Sequence, residues 1–199
     1  MQTGRNFGKI PCQLRDNPTM TDITQTILPS PSWRDYLEIC KPRVVLLMLL
    51  CTLVGMFLAT SEMVPLEVIV FGSLGVALVA SSAAALNHLV DANIDAKMAR
   101  TRNRPFAQGR VTNMQGAVFV GVTGIAGIGI LAVLINPLTA WLNLASWLGY
   151  GVVYTMYLKR ATPQNIVIGG AAGALPPVIG WTIATNSLSL EPITFFLII

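Results

Sequence analysis

An all-helical, polytopic transmembrane bundle is the fold this 199-residue sequence predicts, and three observations predict it. Hydrophobic residues make up 53% and charged residues only 11%, and mean hydropathy is +0.63. Those values lie far from a soluble globular chain and fit one folded in lipid. Apolar runs near the roughly 20 residues that a bilayer demands recur along the chain. The 13 Lys and Arg residues fall only at alternate junctions between those runs.

Residues 1–35 read as a flexible, polar cytoplasmic arm without the apolar core of a signal peptide, and Met20 is a plausible alternative start. Residues 36–199 read as the N-terminal, truncated part of one transmembrane domain. Five complete spans are expected at residues 44–60, 66–90, 114–135, 138–158 and 166–184, with a sixth starting after Pro192. Pro42, Pro137 and Pro163 stand near helix starts, where a missing N–H costs least. Pro176 and Pro177 lie inside the fifth span beside Gly169, Gly170, Gly173 and Gly180, so that helix should be kinked and thin along one side. Its small-residue face suits close packing or the wall of a groove for a long apolar ligand; for Gly121, Gly124 and Gly127 in the third span, close packing is expected. The apolar residues from Pro192 onward reach only about 12 Å against a hydrocarbon core of about 30 Å, so the sequence reads as a fragment.

Charge gives the orientation. Arg5, Lys9, Arg15, Arg34, Lys41 and Arg43 precede the first span, Lys97 to Arg110 join the second to the third, and Lys159 and Arg160 join the fourth to the fifth. The positive-inside rule then places the N-terminus and both basic loops in the cytoplasm. Topology accounts for the pI of about 9.2, and no soluble domain presents a nucleic-acid surface. Cys12, Cys40 and Cys51 form no CxxC pair and are expected as free thiols.

The informative chemistry lies where the second span ends. Asn87, Asp91 and Asp95 follow at four-residue spacing, and on an α-helix such positions drift only about 40° per step, giving one ladder on one face. Two carboxylates with an amide oxygen suit Mg²⁺, which shares its shell with water and substrate phosphates. The adjoining Arg100, Arg104 and their neighbours form an anion trap. Solvated helix-end acids are the plain alternative, but the chain has only nine acids, and two of them stand on one face beside a basic cluster.

The run Asn87-His-Leu-Val-Asp91-Ala-Asn-Ile-Asp95, followed by Met98-Ala-Arg100-Thr101-Arg-Asn-Arg104-Pro105, resembles the first aspartate motif of the UbiA-type intramembrane prenyltransferases, in the form found in haem O synthases. Lys41-Pro42-Arg43-Val44, Tyr154-Thr155, Leu158-Lys159-Arg160 and Asn165-Ile-Val-Ile-Gly169-Gly170 match the same family, so the resemblance covers about residues 36–199. It implies a prenyltransferase domain of roughly nine spans around a cavity open to lipid, with a second aspartate motif beyond this chain. It also implies transfer of the farnesyl group of farnesyl diphosphate to a vinyl group of haem b, giving haem O. Localisation would be the bacterial inner membrane, with the mitochondrial inner membrane as alternative, and haem A synthase or terminal-oxidase assembly would be partners.

The residues fit that chemistry on their own terms. Mg²⁺ with Arg donors stabilises a departing diphosphate, and an apolar pocket under a charged lid keeps water from the allylic cation. Asp91, Asp95 and Asn87 are therefore expected as metal ligands, Asn87 alternatively as a diphosphate ligand. Arg100, Arg104, Lys159 and Arg160 are expected as diphosphate contacts, with Arg43 a further candidate. His88, the sole histidine, lies off the ladder and either approaches a haem iron or hydrogen-bonds at the interface. Two other functions compete: prenyl transfer to a quinone precursor, and ion or solute transport, which would place the acids near the midplane.

Overall fold

A computed structural model of the chain describes residues 31–158 and 165–198. Every regular element in it is helical. A short helix, α1 (Trp33–Cys40), meets α2 (Pro42–Leu58) at Lys41, whose left-handed backbone (φ 51°) ends the one and begins the other. Pro42 at the first position of α2 supplies a φ already suited to a helix and has no N–H to leave unpaired. α3 (Leu66–Asp95) runs 30 residues without a break, and α4 (Asn113–Ile130) returns beside it before loosening into a π-helical turn, Leu131–Ile135. α5 (Pro137–Trp147) passes into a second π-helical stretch, Leu148–Leu158; α6 (Asn165–Gly173), α7 (Leu175–Thr185) and α8 (Leu190–Ile198) follow.

The expectation of five complete spans and the start of a sixth is wrong. Among the described residues two helical stretches are long and apolar enough to cross a membrane, Leu66–Asp95 and Asn113–Ile135, or up to three if the pair Trp33–Cys40 and Pro42–Leu58, bent by 51°, counts as one. The apolar runs at 138–158 and 166–184 are present in sequence but not as single helices. The first changes winding after Trp147, and the second breaks at Ala174, where Pro176 and Pro177 enter the first turn of α7. Hydropathy counts apolar residues; it does not register a change in hydrogen-bond ladder.

Glycines set how the helices cross. A Cβ on Gly180 would collide with the backbone of Thr52, and one on Gly55 with the backbone of Pro177, so α2 and α7 touch backbone to backbone. α3 and α4 cross at Gly75 and Gly127, where a Cβ on Gly127 would stand 2.8 Å from the Gly75 carbonyl oxygen. Gly124 faces Ser82 in the same interface, whereas Gly121 faces open space and contributes nothing to packing. Met56, Val76, Leu131 and Ile179 fill the core between these crossings. A second core joins Ile39 of α1 to Ala85 of α3 and to Phe106 and Val111 of the loop before α4.

Candidate active site

At 1.5 Å per residue, the stretch of α3 from Leu66 to about Leu86 already spans about 30 Å, the thickness of the hydrocarbon layer. Asn87, Asp91 and Asp95 occupy the turns beyond that length, at the C-terminal end of the helix. All three are buried, with exposures of 5%, 2% and 5%. Ionisable groups so enclosed need partners. Arg104 Nη1 donates to Asp95 Oδ2 at 2.6 Å, and Thr101 Oγ1 donates to the Asp95 backbone carbonyl at 3.1 Å. The loop thus folds back over the last turn of the helix that precedes it.

Lys41 approaches the other end of the ladder. Its Nζ donates to Asn87 Oδ1 at 3.0 Å, and Asn87 Nδ2 donates to Thr155 Oγ1 at 3.3 Å. Thr155 in turn donates to the Tyr150 carbonyl at 2.8 Å, five residues back, along the π-helical winding. Asn87 therefore joins the α1–α2 junction, α3 and the π-helical stretch. Lys41 was legible within its motif, but choosing it over Arg43 required the left-handed backbone. Arg43 is exposed at the start of α2, and Arg100 is exposed in the loop; neither side chain makes a hydrogen bond or ion pair with another described residue. Lys159 and Arg160 lie outside the described residues. His88 is 3% exposed, within electrostatic reach of Lys41, Arg104 and Asp95, and neither ring nitrogen bonds to a described residue.

A cavity of about 270 Å³ lies under this polar end. Lys41 and Tyr150 lie at its lining, α3 supplies Ala80 and Ala84, and the small residues Gly173 and Pro176 form part of the opposite wall. The small-residue face of the 166–184 run thus borders a groove. Tyr150 stacks on Tyr154 with ring centroids 5.3 Å apart and planes 10° from parallel, which stiffens that side.

The donor set decides what metal could sit here. Among the described residues no three His, Cys, Asp or Glu side chains come together as a metal-binding group, so a closed zinc-type or calcium-type cage does not fit. Two buried carboxylates and an amide oxygen on one helical face do fit Mg²⁺ that completes its shell with water and phosphate.

The sequence pattern of the UbiA prenyltransferase family matches residues 48–199. The chain belongs to the UbiA prenyltransferase family. Among curated relatives it is 58% identical over 179 residues to protoheme IX farnesyltransferase 1 of Pseudomonas fluorescens Pf-5, covering 90% of this chain and 60% of that protein. It is 54% identical over 176 residues to the protoheme IX farnesyltransferase of Hahella chejuensis, covering 88% and 59%. The chain thus spans about 60% of the length of the curated relatives it matches. A UbiA homolog from Archaeoglobus fulgidus, solved bound to DMAPP and Mg²⁺, has the same fold, with a TM-score of 0.70 at 20% identity over 81% of this chain and 59% of that one. The same archaeal protein bound to GPP and Mg²⁺ gives a TM-score of 0.65.

Proposed function

We propose that this protein transfers the farnesyl group of farnesyl diphosphate to a vinyl group of haem b, with water supplying the new hydroxyl, to give haem O. The observation that carries the reading is the junction at Lys41, where a buried ladder of two carboxylates and an amide meets the head of an apolar cavity. A prenyl diphosphate has the matching shape, one highly charged end on an apolar chain. The haem specificity rests on the motif resemblance and on the relatives' names.

In this reading Asp91 and Asp95 would hold Mg²⁺, with Asn87 presenting its amide oxygen on the same face. The metal would supply charge neutralisation for the leaving diphosphate. Lys41 and Arg104 stand at the two ends of the ladder as cationic contacts for diphosphate oxygens, and Arg100, Lys159, Arg160 and Arg43 are further candidates. Alanines 80 and 84 and the Gly173 wall keep water from the prenyl chain once its diphosphate departs.

The protein is placed in the bacterial inner membrane as a multi-pass protein, with its N-terminus and basic loop in the cytoplasm. A cysteine at Asn103 should then resist an impermeant thiol reagent applied outside, while one at Ser187 reacts. Hand-over of haem O to haem A synthase or to terminal-oxidase assembly is the partnership that follows. The decisive test is to express the protein from its gene in a host that makes no haem O and to extract the haems. Accumulation of haem O supports the reading; its absence, with prenylation of a quinone precursor instead, replaces the acceptor.

A further inference from the structure

The loop between α3 and α4 is fastened to α1 by a side-chain cross-tie outside the ladder. Asp35 of α1 is 5% exposed, and its two oxygens do different work. Oδ2 accepts the Ser32 backbone N–H at 2.9 Å and closes the first turn of the helix. Oδ1 forms a direct ion pair with Arg110 Nη1. The second arm of the same guanidinium, Nη2, donates to the Asn103 backbone carbonyl at 2.9 Å and stands 3.7 Å from Glu38. The next residue is Arg104, whose Nη1 lies on Asp95. One planar fork therefore connects α1, the turn at Asn103 and, one residue later, the cation at the end of the ladder.

We propose that the Asp35–Arg110 pair is a positioning device that fixes Arg104 over Asp95 and thereby sets the affinity of the site for an allylic diphosphate. Arg110 acts through Arg104 and does not itself contact substrate. The inference rests on the prenyl-diphosphate reading above. Three features make the tie directional rather than a loose surface pair. Asp35 is buried, so an opened pair would leave a carboxylate short of solvation. The guanidinium spans two acceptors on different elements, which an ammonium cannot do in the same geometry. Ile39, Phe106 and Val111 pack under it, so the tie sets the orientation of two surfaces already in apolar contact.

The test measures binding of the slowly reacting analogue farnesyl thiodiphosphate, with Mg²⁺, to the purified protein in detergent. Arg110→Gln should weaken binding about tenfold, because a small displacement of one ionic contact is costly in such sites. Arg110→Lys should resemble Arg110→Gln rather than wild type. Asp35→Asn should act in the same direction, and the double variant should be no more than about twofold worse than the weaker single, as expected for two residues of one interaction. Glu38→Gln, at the longer and more exposed contact, should stay within about twofold of wild type. Unchanged binding in Arg110→Gln, full retention in Arg110→Lys, multiplicative losses in the double, or an equal loss in Glu38→Gln would each overturn the proposal.

Hydrogen exchange of the loop amides from Thr101 to Phe106 supplies an independent readout without substrate. It should quicken about tenfold in Arg110→Gln if the tie holds the loop closed, and unaltered exchange would overturn the cross-tie itself. Quickened exchange with unaltered binding would overturn the link to affinity. If wild type bound no prenyl diphosphate, the affinity claim would fall with the function proposed above, while exchange would still decide whether the tie exists.

Discussion

α3 and the stretch from Pro137 to Thr185 are both apolar, yet one is a single unbroken α-helix and the other, among its described residues, changes winding once and breaks once. α3 keeps α-helical winding for 30 residues, so its register carries a fixed angular relation from the apolar residues at Ala80 and Ala84 to the carboxylates at Asp91 and Asp95. The later stretch changes to π-helical winding at Leu148 and is divided again at Ala174. Its irregular backbone borders the cavity, and a non-α backbone at membrane depth is tolerated where protein or a cavity encloses it. The unbroken element keeps its polar groups in one register, and the broken one borders the cavity beside them.

The largest expected effect breaks the rigid side. Asp91→Asn or Asp95→Asn should lower prenyl transfer by about 100-fold or more with the protein still in the membrane, and EDTA should abolish wild-type activity that added Mg²⁺ restores. Turnover near wild type in either variant would remove the ladder from the mechanism. Next comes the crossing that holds the two sides together. Gly180→Ala and Gly55→Ala each force a Cβ into backbone atoms that no side-chain movement can clear, so each should cost about 2 kcal/mol or more, read as a lower unfolding midpoint in detergent.

A smaller effect sharpens the role of the broken side. Gly173 lines the cavity, and a Cβ there meets nothing within 4 Å. Gly173→Leu should therefore leave the fold intact while shifting preference from farnesyl to geranyl diphosphate by about tenfold or more, since one lost hydrophobic contact discriminates by about 1–3 kcal/mol. An unshifted chain-length profile would separate the cavity from the prenyl chain. The smallest effect compares two glycines of α4. Gly124→Ala must press against Ser82 Oγ, 2.9 Å from the added Cβ, and should destabilise, whereas Gly121→Ala has open space and should change stability by no more than about 0.5 kcal/mol in either direction.

The sequence revealed the rigid region better than the broken one, for a physical reason. Four-residue spacing is enough to put Asn87, Asp91 and Asp95 on one face, and that inference needs only the helix that the apolar run already predicts. The breaks at Leu148 and Ala174 leave hydropathy unchanged. Pro176 and Pro177 signalled the second, but the π-helical winding after Trp147 has no comparable residue to mark it. Lys41 was visible as part of a motif; its contact with Asn87 depends on a left-handed backbone at a residue that rarely adopts one. Gly55 gave no warning of its role, because a backbone crossing depends on the partner helix and not on local sequence. Arg104 is drawn to Asp95 across nine residues of turns, a pairing that positive-inside bias could not single out from its neighbours.

The π-helical stretch has a consequence for how this protein tolerates changes in length. A π-helical turn advances about 85° per residue against about 100° in an α-helix, so winding the roughly seven steps from Leu148 to Thr155 as α-helix at unchanged length would turn the hydroxyl of Thr155 by about 100°. Asn87 would then lose the oxygen that orients its amide toward Lys41. Removing one residue from the stretch offsets that rotation, because each α-helical residue supplies about 100°. A single deletion after Trp147 can thus be absorbed by a change of winding, whereas one in α3 between Ala84 and Asn87 would swing the ladder away from Lys41.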